Sequence, residues 1–161
     1  MFAGERRMTR RGFIVRCAAV LALTDVSFGA DDRVASPDLW KVSKVYVGEM
    51  GQSDEAARFR MLLEEELSKA KFGVVGKMED ADASLTGVLS LRIFADESVA
   101  RATVVLKGST GARLWGGDFE PRSALFKKIE DVVRFRAQNI AGDLRKDWNR
   151  SAKKAGQREV K

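Results

Sequence analysis

A chain of 161 residues, 45% hydrophobic and 32% charged, has room for one globular domain of ordinary size plus a targeting segment. Histidine is absent and Cys17 is the single cysteine, which excludes a disulfide framework and removes the commonest general base, metal ligand and physiological pH switch. The formal charge of +6 does not mark a polyanion binder: five of the 29 basic and two of the 23 acidic residues lie within residues 1 to 30, and without them the excess falls to +3.

Residues 1 to 30 have the order of a cleavable signal peptide. Arginines crowd residues 5 to 12, an apolar run of about ten residues follows from Phe13 to Leu23, and Thr24 to Ala30 turns small and polar. The run is too short for a permanent span, and Arg16 interrupts it. Arg10, Arg11 and Phe13 match the start of a twin-arginine export signal, so export by that route or by the general secretory route is expected, with cleavage near Gly29 or Ala30. Met8 is an alternative start to Met1. Cys17 precedes most of the apolar run, which is the wrong place for lipid attachment.

Residues 31 to 41 read as a polar linker and residues 42 to 149 as a single domain. Val42 to Val47 alternates as a strand. Ser53 then caps a helix with Asp54 and Glu55 in its first turn and an apolar stripe of Ala56, Phe59, Leu63, Leu67 and Ala70. Phe72 to Gly76 is a short strand, and Met78 to Asp82 a polar loop. From Ala83 to Ile93 the odd positions are mainly apolar; after a turn at Asp96 to Ser98, Ala100, Ala102, Val104 and Leu106 alternate with polar neighbours. Gly108 to Gly111 turns the chain into a last strand, Ala112 to Phe119. Three strands with such short loops form an antiparallel meander.

Pro121 stops that strand and Ser123 caps a second helix reaching about Asn149, its stripe being Phe126, Ile129, Val133, Ala137, Ile140 and Leu144. Arg134, Arg136 and Arg145 are expected to face outward. Residues 150 to 161, polar and without periodicity, read as a disordered tail. The expected fold is an α+β, two-layer βαβββα sandwich: a mixed sheet with an antiparallel meander and two helices on one face.

Several pieces carry a resemblance: Leu63-Glu64-Glu65-Glu66-Leu67 closing the first helix, the Phe72-Gly73-Val74-Val75 strand, and Ala81-Asp82-Ala83-Ser84-Leu85-Thr86-Gly87 opening the long strand. Thr110-Gly111-Ala112-Arg113-Leu114-Trp115 and Ile140-Ala141-Gly142-Asp143-Leu144 continue it. Over residues 42 to 148 the chain resembles the α/β domain of TolB amino-terminal regions, of the curli-secretion lipoprotein CsgG and of penicillin-binding-protein activator lipoproteins. The resemblance implies a periplasmic or secreted location and a non-catalytic part in assembly, transport or regulation. Unlike the lipoproteins, this chain has no attachment cysteine at the required place.

No motif supplies a catalytic apparatus. Without histidine there is no serine triad, and neither Gly108 to Gly111 nor Gly116-Gly117 has the residues of a phosphate loop. Glu79, Asp80 and Asp82 read as a solvated loop rather than a calcium site, which needs more oxygen ligands. The protein is therefore expected to be non-enzymatic, with no cofactor and no metal. The candidate binding surface is Arg92, Arg101, Thr103, Lys107, Arg113 and Trp115 on an uncovered sheet face; Trp40, Trp115 and Trp148 also read as core or edge anchors. Another envelope protein is the expected partner, with peripheral membrane contact and oligomeric state left open. The alternative is nucleic-acid or anionic-lipid binding through the arginines of that face.

Overall fold

The computed structural model describes residues 33–94, 97–120 and 128–159. The leader, the cap assigned to Ser123 and the stripe position Phe126 lie outside them. In chain order the elements are β1 (Val34–Ala35), β2 (Lys44–Val47), α1 (Asp54–Lys69), β3 (Gly73–Val75), β4 (Ala83–Phe94), β5 (Glu97–Gly108), β6 (Arg113–Phe119) and α2 (Ile129–Glu159). Short 3-10 turns stand at Leu39–Lys41 and Met78–Asp80.

The strands form one six-stranded mixed sheet in the order β1-β6-β5-β4-β2-β3. β2 runs parallel to β3 and β4, while β4, β5 and β6 make the antiparallel meander and β1 joins β6 antiparallel. The fold is the expected two-layer α+β sandwich with a mixed sheet, but its order is ββαββββα and not βαβββα, with both helices contributing buried residues to one core. No helix among the described residues is long and apolar enough to cross a membrane.

Local chemistry explains the boundaries of α1. The Ser53 hydroxyl accepts the Ala56 N–H at 3.2 Å, with Asp54 and Glu55 in the first turn. At the other end Lys71 takes φ of 65°, Phe72 N–H donates to the Leu67 carbonyl and Lys71 N–H to that of Ser68. This is a Schellman stop with lysine where glycine is usual. Ala56, Phe59, Leu63 and Leu67 are buried, as their spacing predicts.

In the meander, β4 and β5 pair over their whole length from Ala83↔Gly108 to Phe94↔Glu97. Glu97 and Ser98, predicted in the turn, are already strand residues. Even positions of β5 (Ala100, Ala102, Val104, Leu106) are fully buried under the helices. β4 departs from its predicted buried face: Leu85 is buried, but Leu89 and Leu91 are only partly so and Ile93 is 68% exposed. The strand outruns the helices that would cover it. Gly87 and Gly116 sit where strands approach closely, since a Cβ on either would meet a carbonyl oxygen of β5 at 2.3 Å. Gly116 and Gly117 are thus strand residues of β6.

Three further predictions need correction. The segment read as a linker, residues 31 to 41, contributes β1 and the turn holding the fully buried Leu39. The helix expected to end near Asn149 continues to Glu159, so the segment read as a disordered tail is helical through most of its length. Ser151 shows why: its hydroxyl donates to the Pro37 carbonyl at 2.7 Å and accepts the Trp40 N–H at 3.3 Å. Arg136, expected outside, is buried, with its guanidinium donating to the carbonyls of Ala100 at 2.7 Å and Glu120 at 3.1 Å. It satisfies β5 at the point where β6 has stopped pairing.

Candidate binding surface

Strand parity decides which side chains share the face away from the helices. Even positions of β4 and odd positions of β5 point there, because the core takes Leu85 from one strand and Ala102, Val104 and Leu106 from the other. Ser90 opposite Arg101, Arg92 opposite Val99, Val88 opposite Thr103 and Ser84 opposite Lys107 are therefore neighbours on the uncovered face. β6 adds Arg113 opposite Lys107 and Asp118 opposite Thr103.

Five of the six predicted surface residues come together in this way: Arg92, Arg101, Thr103, Lys107 and Arg113. Trp115 does not. A register shift between Leu106 and Lys107 pairs them with Trp115 and Arg113, skipping Leu114 and turning Trp115 into the core. Trp115 is fully buried, lies 5.7 Å from the ring of Phe119, and donates its indole N–H to Asp147 at 3.0 Å. Trp148 behaves as an anchor too: its indole N–H donates to the Val42 carbonyl at 2.8 Å, and the Arg145 guanidinium stacks 4.4 Å from its ring.

The face is less basic than its arginines suggest. Asp118 accepts a short hydrogen bond from the Thr103 hydroxyl and pairs with Arg101 at 3.4 Å, and Glu120 reaches the same guanidinium at 3.4 Å. Neither acid was among the predicted site residues, because only the cross-strand register brings them beside Arg101. Arg92, Lys107 and Arg113 form no ion pair among the described residues. Positive charge thus sits at the two ends of the face, with a compensated patch between.

At the lower end of β4 a cleft of about 330 Å³ is lined by Met78, Glu79, Asp82, Ser84 and Ser109 among others. Of its two carboxylates, that of Asp82 is already committed. Asp82 Oδ2 accepts the backbone N–H groups of Lys44 at 2.8 Å and Ser43 at 2.9 Å and the Ser43 hydroxyl at 2.8 Å. Those donors, the backbone ones first, hold its pKa below the ordinary carboxylate value. Asp82 pins the start of β4 to β2; among the described residues no three His, Cys, Asp or Glu side chains gather as a metal site. Gly108 to Gly111 is the β5–β6 turn, closed by the Gly108 N–H on the Ala112 carbonyl at 2.9 Å.

No family model and no curated protein matches the chain. Solved structures do. A point variant of the PelC dodecamer from Paraburkholderia phytofirmans aligns at a TM-score of 0.52 and 19% identity, covering 70% of this chain and 94% of that one. The PelC dodecamer from the same organism in another crystal form aligns at 0.52 and 18%, covering 67% and 92%. The chain is thus similar in fold to a protein that is dodecameric in both crystals.

Proposed function

We propose that this chain is a non-enzymatic exported protein of the bacterial envelope that acts as an assembly subunit, binding copies of itself and another envelope protein. The observation that carries the reading is the asymmetry of the sheet. One face is covered by both helices over most of its area; the other presents Arg92, Arg101, Thr103, Lys107, Arg113 and Asp118, cations and an acid interleaved on a rigid support. Interfaces between proteins use such mixed polar surfaces around a smaller apolar centre, here Val88, which is 59% exposed. The fold likeness to PelC supports self-association, since that protein is a dodecamer. The arginine-rich leader and the resemblance to TolB and CsgG domains support an envelope location.

One observation favours a second reading. Arg92, Lys107 and Arg113 are cations on one face without an ion pair among the described residues, as a nucleic-acid or anionic-lipid binder would have. The acids holding Arg101 weigh against it.

The test combines cell fractionation and N-terminal sequencing with light scattering on the purified mature protein. The expected result is an envelope fraction, a new N-terminus near Gly29 or Ala30, and a mass many times that of the monomer. Intact chain accumulating in the cytoplasm sinks the export reading, and a monomer at all concentrations sinks self-assembly. Binding to polyanions that collapses between low and moderate salt favours the second reading.

A further inference from the structure

Among the described residues two short stretches of strand edge are open, one on β4 above the end of β2 and one on β1, and they match. In β4 the odd positions turn away from β5: the Leu85 carbonyl accepts from Gly48, and the N–H groups of Gly87 and Leu89 donate to Glu49 and Met50. Beyond Leu89 that neighbouring chain ends. Leu91 and Ile93 therefore turn N–H and C=O outward with no backbone partner among the described residues. On the far margin, Ser36 N–H donates to the Leu114 carbonyl at 2.7 Å, so even positions of β1 face β6 and Ala35 turns its own N–H and C=O outward. Both edges carry exposed apolar side chains, Ile93 at 68% and Val34 at 49%.

We infer that copies of this chain join by sheet extension, β1 of one copy adding antiparallel to the upper edge of β4 in the next, with Ala35 opposite Leu91. The inference rests on the assembly reading above and names its interface. Parity agrees: Ala35 shares the helix face with Trp115, and Leu91 shares it with Leu85, so this register keeps both helical layers on one side and places Val34 opposite Arg92. The length agrees as well, since a two-residue strand meets a free stretch of three residues. Because the two edges differ and lie on opposite sides of the β1-β6-β5-β4 run of the sheet, the contact is head-to-tail, the type that builds a closed ring or an open filament. Strand addition supplies main-chain hydrogen bonds and hides two edges that are otherwise open to aggregation.

The test uses the full chain carrying Cys17→Ser, which leaves no native thiol. Ile93→Pro removes one outward N–H and no β4–β5 bond, and it is expected to turn the assembly into folded monomers by light scattering, with the far-ultraviolet circular dichroism retained. In the double variant Ala35→Cys and Leu91→Cys, directly opposed residues stand about 5.5 Å apart between Cα atoms, within disulfide reach. Oxidation should then give a ladder of covalent multimers, where either single variant gives dimers at most. An assembly that survives Ile93→Pro, or a double variant without a ladder, overturns this interface and leaves the assembly reading standing. A monomeric parent protein overturns the assembly reading itself. If Ile93→Pro fails to fold, the cysteine ladder decides.

Discussion

Asp82 binds two strands through one oxygen, and its chemistry predicts a pH dependence. Its folded pKa lies below the ordinary value because the ionised form accepts the Lys44 and Ser43 N–H groups and the Ser43 hydroxyl. A carboxyl with a depressed folded pKa contributes stability above its unfolded pKa of about 3.9, and that contribution is lost as pH falls through the folded value. Asp82→Ala should cost about 1–2 kcal/mol in urea denaturation at pH 7, given hydrogen bonds to a charged group discounted for solvent exposure. The gap to the parent protein should shrink below about pH 4. An equal gap at pH 3 would mean the carboxylate is not the source. The sequence marked Asp82 only as part of a solvated loop, since its donors stand 38 and 39 residues away. Trp115 was ambiguous for a related reason: alternation along a strand is legible, but a one-residue register shift against the neighbouring strand reverses it, and no local signal marks that shift.

Among the elements, α1 and the meander were legible because their patterns are local: a capping serine, a three-four stripe, and alternation broken by glycine turns. The ends of the domain were not. β1 has two residues, and its pairing depends on β6 about eighty positions later; the last turns of α2 are polar because Ser151 buries a hydroxyl, not an apolar group. Ser151→Ala therefore separates the two readings. In a disordered tail it would change stability by less than about 0.5 kcal/mol. With the Pro37 carbonyl and the Trp40 N–H both losing their partner, the expected cost is about 1–2 kcal/mol, measured as a lowered thermal midpoint. The stop of α1 predicts the opposite sign. A lysine at φ 65° costs about 1 kcal/mol relative to glycine, so Lys71→Gly should raise the denaturation midpoint while leaving the fold unchanged. No change on substitution would show that Lys71 carries no strain.

At the scale of the whole molecule, one core holds both helices and most of the sheet, and the β4–β5 hairpin stands partly clear of it. Ile93, 68% exposed at the far end of β4, lies outside the core formed by the described residues, and the sequence placed it in the buried face only because the period continued after the cover had ended. If that end is completed by a second copy, folding and association are linked. A species that assembles only when folded is stabilised by mass action, so its thermal midpoint must rise with protein concentration. The expected behaviour is a midpoint that climbs steadily over a hundredfold range of concentration in the parent protein and stays flat in Ile93→Pro. Agreement of the two proteins at the lowest concentration would show that the variant lost association and not intrinsic stability. A flat parent curve, together with a monomeric mass, would return the exposed hairpin to a feature of the isolated domain, and the apolar end of β4 would then be an edge protected only by its shortness and by Arg92.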